Sequence, residues 1–403
     1  MFDISLSAIL FAILLIYQYN KVKRITICIL VISFYLLVNI CSIILADSYN
    51  INYTYSIFPS IYFFIICYIF FLPLMGNNTI ITRSFIVKKT PFFKLVIALY
   101  LFLALILTIS NINIINDVLI DNNYAKLKQL AYNGELETNT TPIFLIARIY
   151  VASLWPAILL YGFYIAKNSN VSYYKYIFYI LAGLIPSFVT NILYTYRGGI
   201  GIQVLLIISC FLMMRKYYSS QRKKQFYLTF AIIFAILISI LISITVSRFG
   251  ESSANDSLVD YFGQSILNYN GGIASRIESY ANGRYFFGSF LGLDRNDVCN
   301  DSLYGIISNN GSNLNTFVGN LVLDFGFIGG FFLAVIFSIL LCKLLKNKRS
   351  YDFADSSLLM FYLNFIYSGA FHSSFGFAKN CLYFFIIYIF LKIFNKKYTS
   401  YEN

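Results

Sequence analysis

The residues of this chain that most suggest chemistry are four arginines in one polar stretch. Residues 248–313 contain Arg248, Arg276, Arg284 and Arg295 but no lysine, although lysine is the commoner base in the chain. A guanidinium group offers a planar fork of donors that matches phosphate and carboxylate oxygens, which a lysine ammonium does not. The last three arginines lie among seven acids, so local ion pairing is their plainer explanation. The pattern indicates recognition of an anionic ligand.

Arg197 is a further candidate because of the residues that follow it. It opens the sequence Arg-Gly-Gly-Ile-Gly, where an apolar segment over 198–214 begins. The first amide groups of such a helix, together with the positive end of its dipole, form an anion site beside the guanidinium. The alternative is an interfacial arginine that reaches lipid headgroups, with glycines used for helix packing.

Two charged residues lie deep inside apolar segments. Arg148 falls one to two turns into the segment 143–166, and Asp324 lies in Leu-Asp-Phe-Gly-Phe within 314–342. An ionised group at such depth costs at least ~2.5–3.5 kcal/mol unless it is paired or hydrated. The sequence therefore predicts that these two residues are partners of each other, while a functional role for either stays open.

Three polar residues in the C-terminal half of the chain could take part in catalysis or binding. His372 and Lys379 flank the last outer turn, and His372 is the only histidine of the chain. A histidine pKa lies near neutrality, which suits a general base, although an interfacial hydrogen bond is its commoner role. Tyr261 is one of several outer tyrosines that can stack on sugar rings.

Membrane-spanning helices must position all these residues. Of the 403 residues, 59% are hydrophobic and 12% are charged, and the mean hydropathy is +0.71. A soluble fold needs far more polar surface. The net charge of +13 lies in short clusters between apolar segments, where it sets orientation and does not indicate nucleic-acid binding. Scattered cysteines and the lack of metal or nucleotide motifs predict no disulfide framework and no cofactor.

Hydropathy predicts an all-α polytopic membrane protein with about eleven spans. The predicted spans are residues 3–19, 25–46, 57–75, 92–115, 143–166, 174–196, 198–214, 226–247, 314–342, 354–371 and 380–395. The chain then divides into residues 1–247 with eight spans and an outer loop at 116–142, a large outer loop at 248–313, and residues 314–403 with three spans and a tail.

The charge distribution predicts an outer N-terminus and an inner C-terminus. The loops assigned to the inside carry 21 of the 30 lysines and arginines, and the outer face holds 13 of the 17 acids. Positive residues favour the cytoplasmic side. Within the large outer loop, residues 285–293 are too few to span and too apolar for water. They are predicted to form an interfacial or re-entrant segment.

Three segments together resemble one protein family. They are the arginine-glycine segment 194–199, the loop entrance formed by Arg248 and residues 261–265, and the loop exit 315–330 with its Asp-Phe-Gly-x-x-Gly ending. With the many spans and the large outer loop, the whole chain resembles the bacterial oligosaccharide repeat-unit polymerases, the O-antigen polymerase or Wzy family.

The resemblance implies a GT-C-type membrane glycosyltransferase of the bacterial inner membrane whose active site faces the periplasm. It implies undecaprenyl-pyrophosphate-linked oligosaccharides as donor and acceptor, no cofactor, and a chain-length regulator and a flippase as pathway partners. Arg197 and Arg248 would clamp the pyrophosphate, and Asp324, Glu278, Asp294 or His372 would accept the proton. The catalytic candidates are Arg197, Arg248, Arg276, His372 and Asp324, and the substrate-binding candidates are Arg284, Arg295, Glu278, Tyr261, Asn315 and Lys379.

Three alternatives remain open at the level of sequence. A lipid-linked oligosaccharide flippase would show paired halves and charges lining several spans, and no internal repeat is evident. An O-antigen ligase often places a His-Asn pair before the helix after the large loop, where this chain has Asn313 and Asn315. A structural subunit of an envelope complex is the third alternative.

Overall fold

The computed structural model describes most of the chain as α-helix. The described residues are 2–46, 54–75, 84–85, 87, 90–111, 142–193, 196–249, 254–275, 280–293, 315–346, 350–371 and 377–399. The first eight helices are α1 Phe2–Val22, α2 Ile27–Ala46, α3 Ile57–Phe71, α4 Pro91–Ser110, α5 Pro142–Ile165, α6 Tyr173–Leu193, α7 Arg197–Met214 and α8 Ser220–Phe249. The remaining five are α9 Ala254–Leu267, α10 Arg284–Leu291, α11 Phe317–Leu341, α12 Phe353–Gly369 and α13 Phe377–Thr399.

Nine helices of the described chain are long and apolar enough to cross a membrane, so the chain is a polytopic α-helical membrane protein. They are α1 to α8 and α11, some with short continuations. The last two predicted spans are also helical, as α12 with 17 residues and α13 with 23. They are not among the nine. Within the described residues, the one extended pairing is a two-residue parallel contact between β1 Ser84–Phe85 and β2 Ser350–Tyr351.

Local sequence explains where two of the spans begin. The Thr90 hydroxyl accepts a hydrogen bond from the Phe93 amide at 3.1 Å, and Pro91 occupies the first position of α4. The Thr316 hydroxyl accepts from the Gly319 amide at 3.0 Å at the start of α11. Both threonines satisfy amide groups that have no partner in the first turn of a helix.

The chain folds as two compact units, and each unit combines segments that are distant in sequence. Unit 1 contains Met1–Thr82, Asn255–Lys348 and Phe365–Leu382. Unit 2 contains Arg83–Ala254, Arg349–Asn364 and Tyr383–Asn403. The division expected from the sequence has boundaries at residues 247 and 313. The boundaries of the two units are different, because residues after 254 pack with the N-terminal helices.

Aromatic side chains fill the core of unit 1. The ring centroids of Phe11 and Tyr35 lie 5.9 Å apart, and those of Tyr35 and Phe71 lie 5.1 Å apart. The Tyr35 hydroxyl donates to the Ile366 carbonyl at 2.8 Å, so the polar end of this buried ring is satisfied. The interlocked rings hold α1, α2 and α3 against each other.

Part of the stretch expected as a polar outer loop is buried helix in unit 1. Helix α9 continues as a π-helical turn over Asn268–Ala274, in which Asn270 is 1% exposed. The Asn270 side chain accepts from the Ser56 amide at 2.9 Å and donates to the Ser56 carbonyl at 3.0 Å. Gly263 lies so close to α2 that a Cβ there would be 2.6 Å from the Cys41 carbonyl oxygen. The asparagine and glycine of this segment therefore serve packing.

Unit 2 is built on the close pairing of α5 with α6. A Cβ added at Gly183 would lie 2.8 Å from the Leu159 amide nitrogen and 3.0 Å from the Trp155 carbonyl oxygen. The two backbones can approach this closely only because position 183 has no side chain. In the same unit, the Lys392 ammonium lies 2.7 Å from Asp352 and 2.8 Å from Asp355.

We expect Gly183→Ala to lower the thermal stability of the detergent-solubilised protein, because the added methyl group must push α5 and α6 apart. Overpacking of this kind costs about 1–3 kcal/mol. Gly201→Ala is the matched control, since no atom lies within 4 Å of the added methyl group and alanine is the better helix former. Melting curves followed by size-exclusion chromatography measure both, and equal stability of the two variants would contradict the close pairing.

Candidate functional site

Arg197 is the first residue of α7, as the sequence predicts, but its side chain is buried in protein. It is 6% exposed, and its Nη1 donates to the Thr245 hydroxyl of α8 at 3.5 Å. The Tyr196 amide donates to the Asn191 carbonyl at 2.8 Å, which ties the start of α7 to the end of α6. A headgroup anchor would be exposed. The contacts give Arg197 the position of a residue that holds three helix ends together.

Gly199 has a packing role in the same place. The Asn191 side chain lies directly against it, so that a Cβ at Gly199 would overlap the Asn191 amide group. The absence of a side chain at Gly199 therefore makes room for Asn191. Arg248 belongs to α8, three positions after Thr245, and its side chain lies outside the described part of the structure.

A cavity of about 160 Å³ lies in unit 2, at the ends of three helices. Its walls come from the end of α4, the beginning of α5 and the end of α6. Charge distribution predicts that these ends face outward. The lining residues are Leu107, Asn111, Arg148, Val151, Ala152, Trp155, Pro186, Ser187, Val189, Thr190, Asn191 and Leu193.

Each of the helices α5 and α6, which form two walls of the cavity, contains a proline. Pro156 lies inside α5 and Pro186 inside α6. A proline has no amide hydrogen, so it leaves the carbonyl four residues earlier without its helical donor and bends the helix. The Ala182 carbonyl released by Pro186 accepts from the Tyr100 hydroxyl at 3.1 Å. The carbonyl that Pro156 releases belongs to Ala152, which lines the cavity.

Among the residues that the structure describes, Arg148 is the only charged one that lines this cavity. Its side chain is half-buried, and among the residues that the structure describes it has neither a hydrogen bond nor an ion pair. Arg222 of the same unit has protein partners instead, because it donates to the Ser169 carbonyl at 3.0 Å and to the Gln225 side chain at 3.2 Å. Inside a membrane span, an arginine without a hydrogen bond or ion pair to protein needs water or an anion to stabilise its charge.

Two neutral polar side chains share the cavity with Arg148. Asn191 is 8% exposed, and within the described chain its side-chain amide makes no hydrogen bond. The Ser187 hydroxyl is likewise without a partner among the described residues. In contrast, the Thr190 hydroxyl donates to the Pro186 carbonyl at 2.9 Å. Buried polar groups are hydrogen-bonded in almost all proteins, so Asn191 and Ser187 have capacity for a ligand or for water.

The carboxylate of Asp324 is held by backbone amides of its own unit. Asp324 is 1% exposed, and its two carboxylate oxygens accept from the amides of Tyr285 at 3.0 Å and Phe286 at 2.6 Å. It therefore caps the N-terminus of α10, where a negative charge is favourable. Sequence reasoning missed this partner because it is a backbone and not a side chain.

The Asp-Phe-Gly sequence also has a structural explanation. Helix α11 is broken at Gly326, which has φ of +69°, a conformation that strongly favours glycine. The Ala281 amide donates to the Leu323 carbonyl at 2.9 Å, and the Tyr62 hydroxyl donates to the Phe327 carbonyl at 2.7 Å. Neighbouring segments thus satisfy carbonyls near the break, as the apolar surroundings of a span require. The short segment expected to be interfacial or re-entrant is helix α10, docked at this break.

The other predicted site residues are not gathered in one place by the described structure. Arg284 is the first residue of α10, Asn315 is buried just before α11, and Tyr261 in α9 packs its ring 5.3 Å from that of Phe371. Lys379 is half-buried in α13. Four predicted residues lie outside the described part of the chain: Arg276, Glu278, Arg295 and His372. Asp294 lies outside it as well.

Comparison with protein-family models, characterised proteins and solved structures found no match to this chain.

We expect Arg148→Gln and Asp324→Ala to have additive effects on stability, because the two residues share no partner. Asp324→Ala should destabilise by about 2 kcal/mol or more, since it leaves amide groups of α10 without acceptors. Arg148→Gln should leave stability unchanged or raise it, since it removes a costly charge. Melting temperatures of the single and double variants measure this. A double variant clearly more stable than the sum predicts would indicate that the pair exists after all.

Proposed function

We propose that this protein is a membrane glycosyltransferase that polymerises lipid-linked oligosaccharide repeat units at the outer face of the bacterial inner membrane. The observation that carries the proposal is the cavity in unit 2. It places one uncompensated guanidinium group, an available amide and an available hydroxyl among apolar helix ends, in a chain whose described part has nine candidate spans. A substrate with an anionic linkage, hydroxyl groups and a lipid tail matches each of these features.

The chemistry required of the protein is limited. The acceptor hydroxyl oxygen bonds to the anomeric carbon of the donor glycan, the bond from that carbon to the pyrophosphate oxygen breaks, and a base takes the hydroxyl proton. The pyrophosphate leaves with the bonding electrons, so no cofactor is consumed. Catalysis then depends on orienting the two substrates and stabilising the departing negative charge.

The proposal assigns different tasks to the two buried arginines of unit 2. Arg148 contacts the substrate, because it lines the cavity and no described protein group occupies its guanidinium. Arg197 is a positioning residue, because it is 6% exposed and bonded to Thr245. Its contacts fix the ends of α6, α7 and α8 beside the cavity. Asp324 is not assigned the role of base, since both carboxylate oxygens already hold α10.

A lipid-linked oligosaccharide flippase is the second candidate, and one observation favours it. An arginine without a protein partner inside a span is also typical of a substrate path through the membrane. The two functions differ in what accumulates when the protein is lost, so one experiment separates them.

We expect deletion of the gene to collapse the surface-glycan ladder to a single repeat unit, because transfer onto the growing chain stops. The wild-type gene should restore the ladder, and Arg148→Gln should not, although the variant protein is present at normal amounts. Gel analysis of the glycan and immunoblotting of the membranes measure the two effects. Arg215→Gln is the control and should restore the ladder. Arg215 follows the last residue of α7, whereas Arg197 is the first residue of that helix.

Two outcomes of the same gel would contradict the proposed function. Complete loss of glycan from the deletion strain would indicate a flippase or a ligase. An unchanged ladder in that strain would remove the whole proposal.

A further inference from the structure

The cavity in unit 2 has an excess positive charge that no described residue balances. Arg148 lines it, and none of the described lining residues is Asp or Glu. The low-dielectric surroundings of a membrane span strengthen the attraction between a guanidinium group and an anion. A neutral occupant would leave the charge uncompensated, so the occupant that the site fits carries a negative charge.

The lining is also divided by polarity. The polar side chains are those of Arg148, Asn111, Ser187, Thr190 and Asn191, and the apolar surface comes mainly from Trp155 and aliphatic side chains. Arginine, asparagine and serine side chains together supply both donors and acceptors. Such a lining suits a ring with hydroxyl groups on its edges and C–H groups on its face. An inorganic ion would use only the polar part.

The size of the cavity supports a ring and not a small ion. Its volume is about 160 Å³, whereas a single buried water needs roughly 10–15 Å³ by the same kind of measure. Water alone would have to fill this space with many molecules against largely apolar walls. A ligand the size of one sugar residue uses both the space and the walls.

We infer that this cavity binds one pyranose ring that carries an oxyanion. Arg148 binds the oxyanion, Asn191 and Ser187 bind ring hydroxyls, and Trp155 supplies apolar surface to the ring. The inference rests on the proposed function in one respect, because it names the sugar unit that the same site recognises. Binding itself needs no transfer reaction, so it can be tested when transfer is not observed.

The oxyanion can have two origins that share this chemistry. It is either the phosphate attached to the anomeric carbon of the first sugar in a lipid-linked glycan, or the carboxylate of a uronic acid within the repeat unit. Both present oxygens that a guanidinium binds in a bidentate manner. Soluble glucose 1-phosphate and glucuronic acid stand for the two origins in a binding experiment.

Trp155 makes the experiment direct because it is the only tryptophan in the chain and it lines the cavity. The full-length protein is purified in an uncharged detergent, and its fluorescence is excited where tyrosine does not absorb. Titration with glucose 1-phosphate or glucuronic acid should give a saturable change. Glucose and inorganic phosphate, which each lack one half of the ligand, should bind at least about tenfold more weakly.

Two variants connect the signal to Arg148. Arg148→Gln should weaken binding of the charged sugar by at least about tenfold, because it removes a charge-assisted bidentate contact, while glucose binding stays unchanged. Arg148→Lys should fall between, since an ammonium keeps the charge but not the fork. Arg215→Gln is the control and should bind like the wild type. Melting curves confirm that each variant is folded.

Each contrary result overturns a defined part of the inference. No change with either charged sugar, or an equal change in Arg148→Gln, excludes the site. Inorganic phosphate binding as tightly as glucose 1-phosphate excludes recognition of the ring. A stronger response to glucuronic acid than to glucose 1-phosphate assigns the oxyanion to the glycan and not to its lipid linkage. If charged sugars bind but the glycan ladder of the deletion strain is normal, the site stands and the polymerase function fails.

Discussion

The cost of placing a charge among apolar helices is the constraint that the structure depends on most. An ionised side chain inside a span costs several kcal/mol unless something neutralises it. In unit 1, the Asp324 carboxylate is stabilised by hydrogen bonds from two backbone amides of α10. In unit 2, Lys392 is neutralised by Asp352 and Asp355. Each solution also joins distant segments of the chain, because the partners lie 37 to 40 residues away in sequence.

Arg148 departs from this rule and is informative for that reason. Neighbouring protein groups could satisfy it, as the Ser169 carbonyl and the Gln225 side chain do for Arg222. Instead its surroundings combine apolar walls with an asparagine and a serine that also have capacity for hydrogen bonds. Folding alone gives no reason to keep such an arrangement, since an uncharged residue would be more stable there. A ligand that supplies the missing negative charge gives one.

Hydropathy predicted the helices well because a span must be long and apolar whatever it packs against. The segments that became α1 to α8 and α11 follow directly from this requirement, and so does the break before Arg197. The docking of α10 could not be predicted in the same way. Its partner is the Asp324 side chain in a helix that begins 25 residues after α10 ends, and only the folded backbone brings its first amides to that carboxylate.

The cavity was unpredictable from sequence for a related reason. Asn111, Arg148 and Asn191 come from the ends of three different helices, and none of the three belongs to a local motif. Sequence did identify Arg148 as a costly charge, but pairing it with Asp324 assumed that a side-chain charge must be the partner. The one signal that could have pointed to the cavity was Trp155, the only tryptophan of the chain, which lies two turns after Arg148 on the same helix.

The glycines after Arg197 show how one sequence pattern can serve two purposes. Glycines at a helix start let a phosphate approach the backbone, which is why the pattern indicated anion binding. In the structure the Asn191 side chain occupies the space beside Gly199. Asn191 in turn lines the cavity that contains Arg148. The glycine therefore has an indirect part in the proposed anion site, because it allows a polar side chain to reach the cavity wall while Arg197 fixes the helix ends around it.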